Sequence, residues 1–459
     1  MVTITAILNL INKNSWWITA GIFGVGVTAG IMAFFGGSFF EWLYASISII
    51  VVCGVCSQFR DRRVSMIVLF AFMLRFGLVL VHRYVTSLPD SYGDAIFFDQ
   101  LAWKFAQSIG SGEHLLSQYG IAHRYSGFIG ILYFIFGHFV IIPQLINAFL
   151  GAVVVWASGE LAYLLSHSIR AKYIALVAAA LFPTMNLYSA IVLREYIMLA
   201  PVACSLVLFI HWMQQGKNRY AYGAIILSFV APLFHSGMLF LPVSYALFFA
   251  FYRPHEKKFR VAPQWKTSLV FVLMVLVFLP TMPKNNGGDM GIGLPGFQVS
   301  GNSTEQGSVA LSGVAGVNQH LDEYTNRGRA VYLQHLRPDS VLDMVIQTPL
   351  RSIYFLFTPT PWQIMTATDA FGAIDALMYL FMFVAGSYAI VVIARRDRWV
   401  AAALVLIVML FIGMFAWGVS NYGAAVRHRQ KMAFAFIAIA SVAGVARPTF
   451  SRTSEPSKQ

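Results

Sequence analysis

Three carboxylates fall close together in the string Pro89-Asp90-Ser91-Tyr92-Gly93-Asp94-Ala95-Ile96-Phe97-Phe98-Asp99-Gln100-Leu101-Ala102. The string follows a long apolar run and leads into another apolar stretch. A carboxylate at a membrane surface and facing an apolar wall can act as a general base, because partial desolvation raises its pKa. Asp94 equally suits the N-terminal end of the following helix, where it would satisfy free backbone N–H groups. The spacing leaves both readings open. A further acid, Glu195, follows Arg194 at the start of a later apolar run. Near the end of the chain a basic string, Arg427-His428-Arg429-Gln430-Lys431, precedes the last apolar run.

The elements that must position these residues are membrane helices. Of 459 residues, 58% are hydrophobic and 11% charged, with mean hydropathy +0.68. A soluble domain carries about a quarter charged residues. Apolar runs here recur at lengths that cross a hydrocarbon core of roughly 30 Å. The hydropathy pattern predicts an all-α polytopic membrane protein of about twelve spans, near 16–36, 38–57, 64–82, 142–164, 172–190, 196–214, 220–237, 238–252, 267–283, 372–393, 399–418 and 430–446. The pair at 220–252 is interrupted by His235, Ser236, Gly237 and Pro242.

The net charge of +13 sits in short segments between the runs, around Arg60 to Arg63, Arg170 to Lys172, Lys217 to Arg219, Arg253 to Arg260 and Arg395 to Arg398. That is the positive-inside pattern of a multi-pass protein rather than a nucleic-acid surface. It predicts both termini on the cytoplasmic side, in the inner (plasma) membrane of a bacterium. The chain then divides into two N-terminal helices (1–63), a transmembrane core (64–283) with a large outer loop at 82–143, a second outer loop (284–371), C-terminal helices (372–446) and a tail (447–459). Within the first outer loop, Ala95–Phe105 and Gly127–Phe136 are apolar but short, as interfacial helices are. The second opens on a Gly-, Ser- and Asn-rich stretch and ends on the aromatic segment Tyr354 to Trp362, which reads as an interfacial or re-entrant element.

Several chemistries find no support. Cys53 and Cys56 are spaced like a redox pair but lie in an apolar run without a βαβ context. The first apolar run lacks a basic leader and reads as a span, not a cleaved signal. No P-loop, dinucleotide fingerprint or HExxH spacing occurs. No internal repeat of the kind many transporters carry is evident. Arg75 lies within a span, where a charge needs a partner or a cavity. The sequence predicts no structural metal; a divalent ion at Asp94 and Glu195 stays open.

The string Asp94-x-x-x-Phe98-Asp99-x-x-Ala102, the turn with Gly110 and Gly112, and His123-Arg124-Tyr125-Ser126-Gly127 together resemble the first outer loop of GT-C glycosyltransferases, polytopic enzymes that use polyprenyl-linked sugars. Leu181-Phe182-Pro183 and Arg194-Glu195 continue the likeness, which covers roughly residues 65–250. Phe98 stands where the family more often has Tyr, and two helices precede the family's first span. The resemblance implies a GT-C-like fold, with Asp94 as the catalytic aspartate, Glu195 as the acid of the second outer loop and Asp99 as a third, less constant acid.

Transfer of a sugar from a lipid phosphate builds negative charge on the leaving group, which cations must offset. Arginine does this bidentately. On the resemblance, Arg427, His428, Arg429 and Lys431 form the phosphate-binding set, with Arg194 and Arg124 as further members. The segment Phe355 to Trp362, with Asn421-Tyr422-Gly423, is also similar to membrane proteins of bacterial polysaccharide clusters. The implied reaction moves a sugar or glycan from a polyprenyl-(pyro)phosphate donor to a lipid-linked or polysaccharide acceptor. A repeat-unit polymerase is the nearest alternative reading, and a lipid-linked glycan flippase the alternative from another class.

Overall fold

A computed structural model describes residues 15–111, 124–260, 266, 269, 314–318, 321 and 330–445. The described chain is a helical bundle. Its helices are α1 (Ser15–Phe35), α2 (Phe39–Cys56), α3 (Arg62–Tyr84), α4 (Asp94–Ser111), α5 (Arg124–Phe136), α6 (Ile141–Ser166), α7 (Ile169–Leu181), α8 (Pro183–Tyr188), α9 (Glu195–Gln215), α10 (Asn218–Ser228), α11 (Val230–Phe234), α12 (Phe240–Phe251), α13 (Val341–Phe357), α14 (Ala367–Arg396), α15 (Arg398–Gly418), α16 (Tyr422–Arg429) and α17 (Ala433–Ala443). Six of them, α2, α3, α6, α9, α14 and α15, are each long and apolar enough to cross a membrane. The protein is an all-α polytopic membrane protein.

The other expected spans appear as shorter or broken apolar helices. The span at 172–190 breaks at Pro183, which opens α8 at its first position, where a missing N–H costs nothing. The stretch 220–252 becomes α10, α11, a 3-10 turn at Ser236–Leu239 and α12. The last span is α17, preceded by a 3-10 turn at Gln430–Met432. The expected span at 267–283 lies outside the described residues, apart from positions 266 and 269. One small element was not expected: a two-stranded hairpin pairing Tyr252 with Phe259 and Arg253 with Lys258.

Helix α6 is the hub, packed against α2, α3, α7, α9 and α17. Charged groups tie the ends of the bundle together. Lys172 pairs with Glu160 at 2.5 Å, Lys257 with Asp397 at 2.8 Å, and Arg396 donates to the Ser166 carbonyl at 2.7 Å. Tyr173 donates to Asp61, which caps α3. The basic clusters that the sequence assigns to one side thus meet at one end of the bundle, where α3 and α7 begin and α6 and α14 end.

The opposite end carries α4 and α5, the short helices expected at 95–105 and 127–136. They pack on each other so closely that a Cβ at Gly130 would come within 2.5 Å of the Phe105 ring and 2.8 Å of the Ala102 carbonyl. Ser126 donates to Phe98 O at 3.0 Å, and Tyr133 to Asp99 at 2.6 Å. Both bonds fix the face that α4 turns toward the bundle.

Candidate active site

The start of α9 is shaped by a neighbour on α6. Asn147 donates through Nδ2 to the carbonyls of Ile191 and Leu193, each at 2.9 Å, and so holds the irregular turn ahead of Arg194. Arg194 donates to Phe234 O at 2.9 Å, and its guanidinium stands 5.8 Å from the Phe98 ring. Glu195 is the first residue of α9, where the helix dipole favours a negative charge. Its side chain is only 1% exposed.

Helix α16 comes from the far end of the sequence. Asn421 caps it, accepting from Gly423 N at 2.7 Å, and residues 330–332 pin its entry: Tyr332 N donates to Ser420 O and Tyr422 N to Ala330 O. From this short helix Arg427 reaches both acids. Its Nε donates to Glu195 Oε1 at 2.7 Å and its Nη1 to Asp94 Oδ2 at 2.6 Å. The three residues singled out from separate parts of the sequence therefore form one continuous ion-paired group at the end of the bundle opposite the basic clusters.

Asp94 is the first helical residue of α4, preceded by Gly93 at φ 62°. Its carboxylate is spent on Arg427 rather than on capping, and almost half of that side chain (47%) stays open to solvent. A group that is oriented by a cation and still accessible can accept a proton from an incoming hydroxyl. Asp90 joins the cluster from the turn before α4, at φ 60°, with Tyr188 hydrogen-bonded to it and the charges of Arg427, Glu195 and Asp94 all acting on it. It keeps an exposed edge, yet the protein around it desolvates it enough to raise its pKa above the ordinary carboxylate value, against the pull of Arg427. The sequence reading passed over Asp90 as a site residue. The signal was a Pro-Asp turn one helical turn ahead of Asp94.

The remaining expected residues divide. Lys431 Nζ lies 2.6 Å from His428 Nδ1, both are buried, and the His428 ring stands 5.5 Å from that of His235. This pair lies behind Arg427, with the charge of Lys431 acting on Glu195. Asp99 has other partners: it accepts from Tyr133 at 2.6 Å and sits 3.2 Å from His138, whose ring stacks on Trp103 at 4.7 Å. It locks α4 to α5. Arg124 opens α5, half-buried.

Arg429 is a correction. Its guanidinium is fully buried and four of its five N–H groups bond protein oxygens: Nε to Asp375 at 2.6 Å, Nη1 to Leu356 O and Thr358 O at 3.0 and 2.6 Å, and Nη2 to Gly372 O at 3.1 Å. That burial leaves no open edge for a phosphate. Asp375 lies more than two turns inside α14 and is the buried counter-ion, held also by Thr184 at 2.7 Å. Arg75 donates to Ala71 O and Ala179 O within the bundle. Among the described residues, no group of three or more His, Cys, Asp or Glu is arranged to hold a metal ion.

No family model and no curated protein matches the chain. Among solved structures the fold is similar to the crystal structure of the Archaeoglobus fulgidus oligosaccharyltransferase in its apo form. The TM-score is 0.49 and the identity 14%, over 84% of this chain and 51% of that one. The chain therefore spans about half the length of that protein.

Proposed function

We propose that the protein is a membrane glycosyltransferase that moves a sugar or glycan from a polyprenyl-(pyro)phosphate donor to a lipid-linked or polysaccharide acceptor. Its site faces the outer side of a bacterial inner membrane, and surface-polysaccharide assembly is the setting. The observation that carries the reading is Arg427 joining Asp94 and Glu195 at the end of the bundle opposite the basic clusters.

In this reading Asp94 accepts the proton of the acceptor hydroxyl as its oxygen bonds to the anomeric carbon of the donor. The bond from that carbon to the phosphate oxygen breaks, and the charge collects on the departing phosphate. Arg427 already uses Nε and Nη1, and no described hydrogen bond occupies Nη2, so that edge is the one offered to an anionic group. Glu195 holds Arg427 from the buried side, so the cation does not have to be ordered at the moment of reaction. Arg75 is packed inside the bundle and donates to Ala71 O and Ala179 O, and the buried Asp375 of α14 is paired with Arg429. Neither charge lines an open path, which weighs against a flippase.

Proteoliposomes with labelled polyprenyl-linked sugar test the proposal. Wild-type protein should form a glycosidic product, and Asp94→Asn should lose on the order of 10²–10⁴-fold of that transfer while still binding the donor. Full transfer by that variant would defeat the assignment. A single product band marks a transferase, and a ladder marks the repeat-unit polymerase reading.

A further inference from the structure

Helix α13 has its polarity reversed. A helix at a water-facing surface turns apolar residues inward and polar ones outward. On α13, Val341, Leu342, Val345, Ile346 and Ile353 are all more than half exposed. The polar residues Thr348 and Arg351 face the bundle, and Gln347 donates to the Arg337 carbonyl ahead of the helix. Thr348 accepts from Trp417 Nε1 at 2.9 Å. Arg351 is fully buried, donates to the Leu336 carbonyl and lies 4.2 Å over the Trp417 ring.

The direction of the helix is set by its contacts. Thr348 and Arg351 sit beside Trp417, at the end of α15 remote from its start at Arg398. Further along, Phe355 stands 6.3 Å from both Phe411 and Phe415, and Phe357 stands 5.8 Å from Phe383 on α14. The backbone end of α13 lies beside Gly372, since Arg429 bonds Leu356 O, Thr358 O and Gly372 O together. Gly372 is five residues into α14, roughly 8 Å along its axis at 1.5 Å per residue, and the Phe357 ring reaches further toward Phe383. The C-terminus of α13 therefore reaches down alongside two spanning helices.

A helix that ends at such depth leaves carbonyls that must find donors inside the protein. Arg429 supplies them, bonding Leu356 O and Thr358 O. The exposed apolar stripe of α13 is also continuous in kind with its neighbours' outward faces, where Leu377, Phe381 and Val384 of α14 and Met409 of α15 are exposed.

We propose that α13 is a membrane-embedded limb whose outward face is covered by the acyl chains of the leaflet on the Arg427 side. It is independent of the glycosyltransferase reading. It takes the re-entrant alternative for the segment Tyr354 to Trp362 and extends it back to the start of α13 at Val341. Arg429 then has a definite task, which is to seal the buried end of that limb.

Site-directed spin labelling tests this in the full-length chain, with Cys53, Cys56 and Cys204 replaced by Ala and the protein reconstituted in phosphatidylethanolamine–phosphatidylglycerol vesicles. Labels go at Ile346 and Ile353 on the outward face, at Phe381 as a reference on a spanning helix, and at exposed Asp339 as a water reference. Labels on outward side chains leave the packed face untouched, and a monodisperse elution profile before reconstitution confirms the fold of each variant. At 346 and 353 we expect strong relaxation by oxygen and weak relaxation by nickel-EDDA, matching position 381. Nickel-EDDA accessibility like that of position 339 would place the face in water and overturn the proposal. Low accessibility to both reagents would mean a protein cover, such as residues 267–283 of this chain, and would overturn it equally.

Discussion

Arg427 and Arg429 are two residues apart on one short helix and do opposite work. About 100° of turn per residue puts them on faces roughly 200° apart. Arg427 meets two acids, one of them half open to solvent, and keeps an edge without a described bond. Arg429 meets one acid, fully buried, and four of its N–H directions end on Asp375 and backbone oxygens. The difference teaches that an arginine's role is decided by what remains unsatisfied after folding. A guanidinium closed in by protein oxygens is scaffold, and one that keeps an open edge is a candidate site.

The sharpest way to break this comparison is to remove the buried cation. Arg429→Met strands the Asp375 carboxylate, at a cost of about 3–5 kcal/mol for a broken buried pair. We expect the variant to insert poorly and to lose most of its thermal stability in detergent. Arg429→Met combined with Asp375→Leu should recover part of it, because no lone charge is left. A normal melting curve for the single variant would mean that Arg429 is not structural.

Next in size is Asp94→Asn. The side chain is half exposed and isosteric, so the melting midpoint should stay near wild type while transfer falls on the order of 10²–10⁴-fold, the usual worth of a general base. Comparable losses of stability and activity would instead make the Arg427 cluster a second scaffold. Arg427→Lys should fall between: a lysine keeps the charge but cannot hold Asp94 and Glu195 together in a fixed fork. Transfer should drop about 10-fold or more, with a modest fall in stability measured by the same melt.

The smallest effect concerns Asp90. Its folded-state pKa is raised by desolvation. Between the ordinary value, about 4, and the raised one, the folded protein binds a proton that the unfolded chain has released. Stability from this group is therefore full below about pH 4 and falls as pH rises through the folded-state value. Asp90→Asn should raise the melting midpoint slightly at pH 7 and leave it unchanged near pH 4. A lowered midpoint at pH 7 would show that the Asp90 charge is favourable in the fold.

Much of the fold was legible because spanning helices are written in local composition. The expected span at 64–82 is α3 (Arg62–Tyr84), and that at 142–164 is α6 (Ile141–Ser166). The interruption at 220–252 was legible from His235, Ser236, Gly237 and Pro242, whereas the run at 172–190 reads as one span and splits at Pro183. The limb α13 was legible only at its end, where Tyr354 to Trp362 read as interfacial or re-entrant, because Thr348 and Arg351 on the packed face interrupt its exposed apolar stripe and mean hydropathy hides such a pattern. The acid cluster was visible as a cluster, and only the resemblance put Asp94 ahead of Asp99 within it. Only the packing of α4 on α5 turned Asp99 toward Tyr133 and left Asp94 to Arg427.

By itself the sequence determined that this chain lives in a membrane, where its longest apolar helices and its basic segments lie and which few residues carry charge away from them. These are local properties, since a run of about 20 apolar residues and a breaker act through their own neighbourhood. What only the tertiary structure decided is pairing. Arg427 finds Glu195 across 232 residues and Asp94 across 333, and Arg429 finds Asp375 across 54. The choice between them rests on which face of α16 each side chain leaves and which helices are packed there, and no local pattern encodes that.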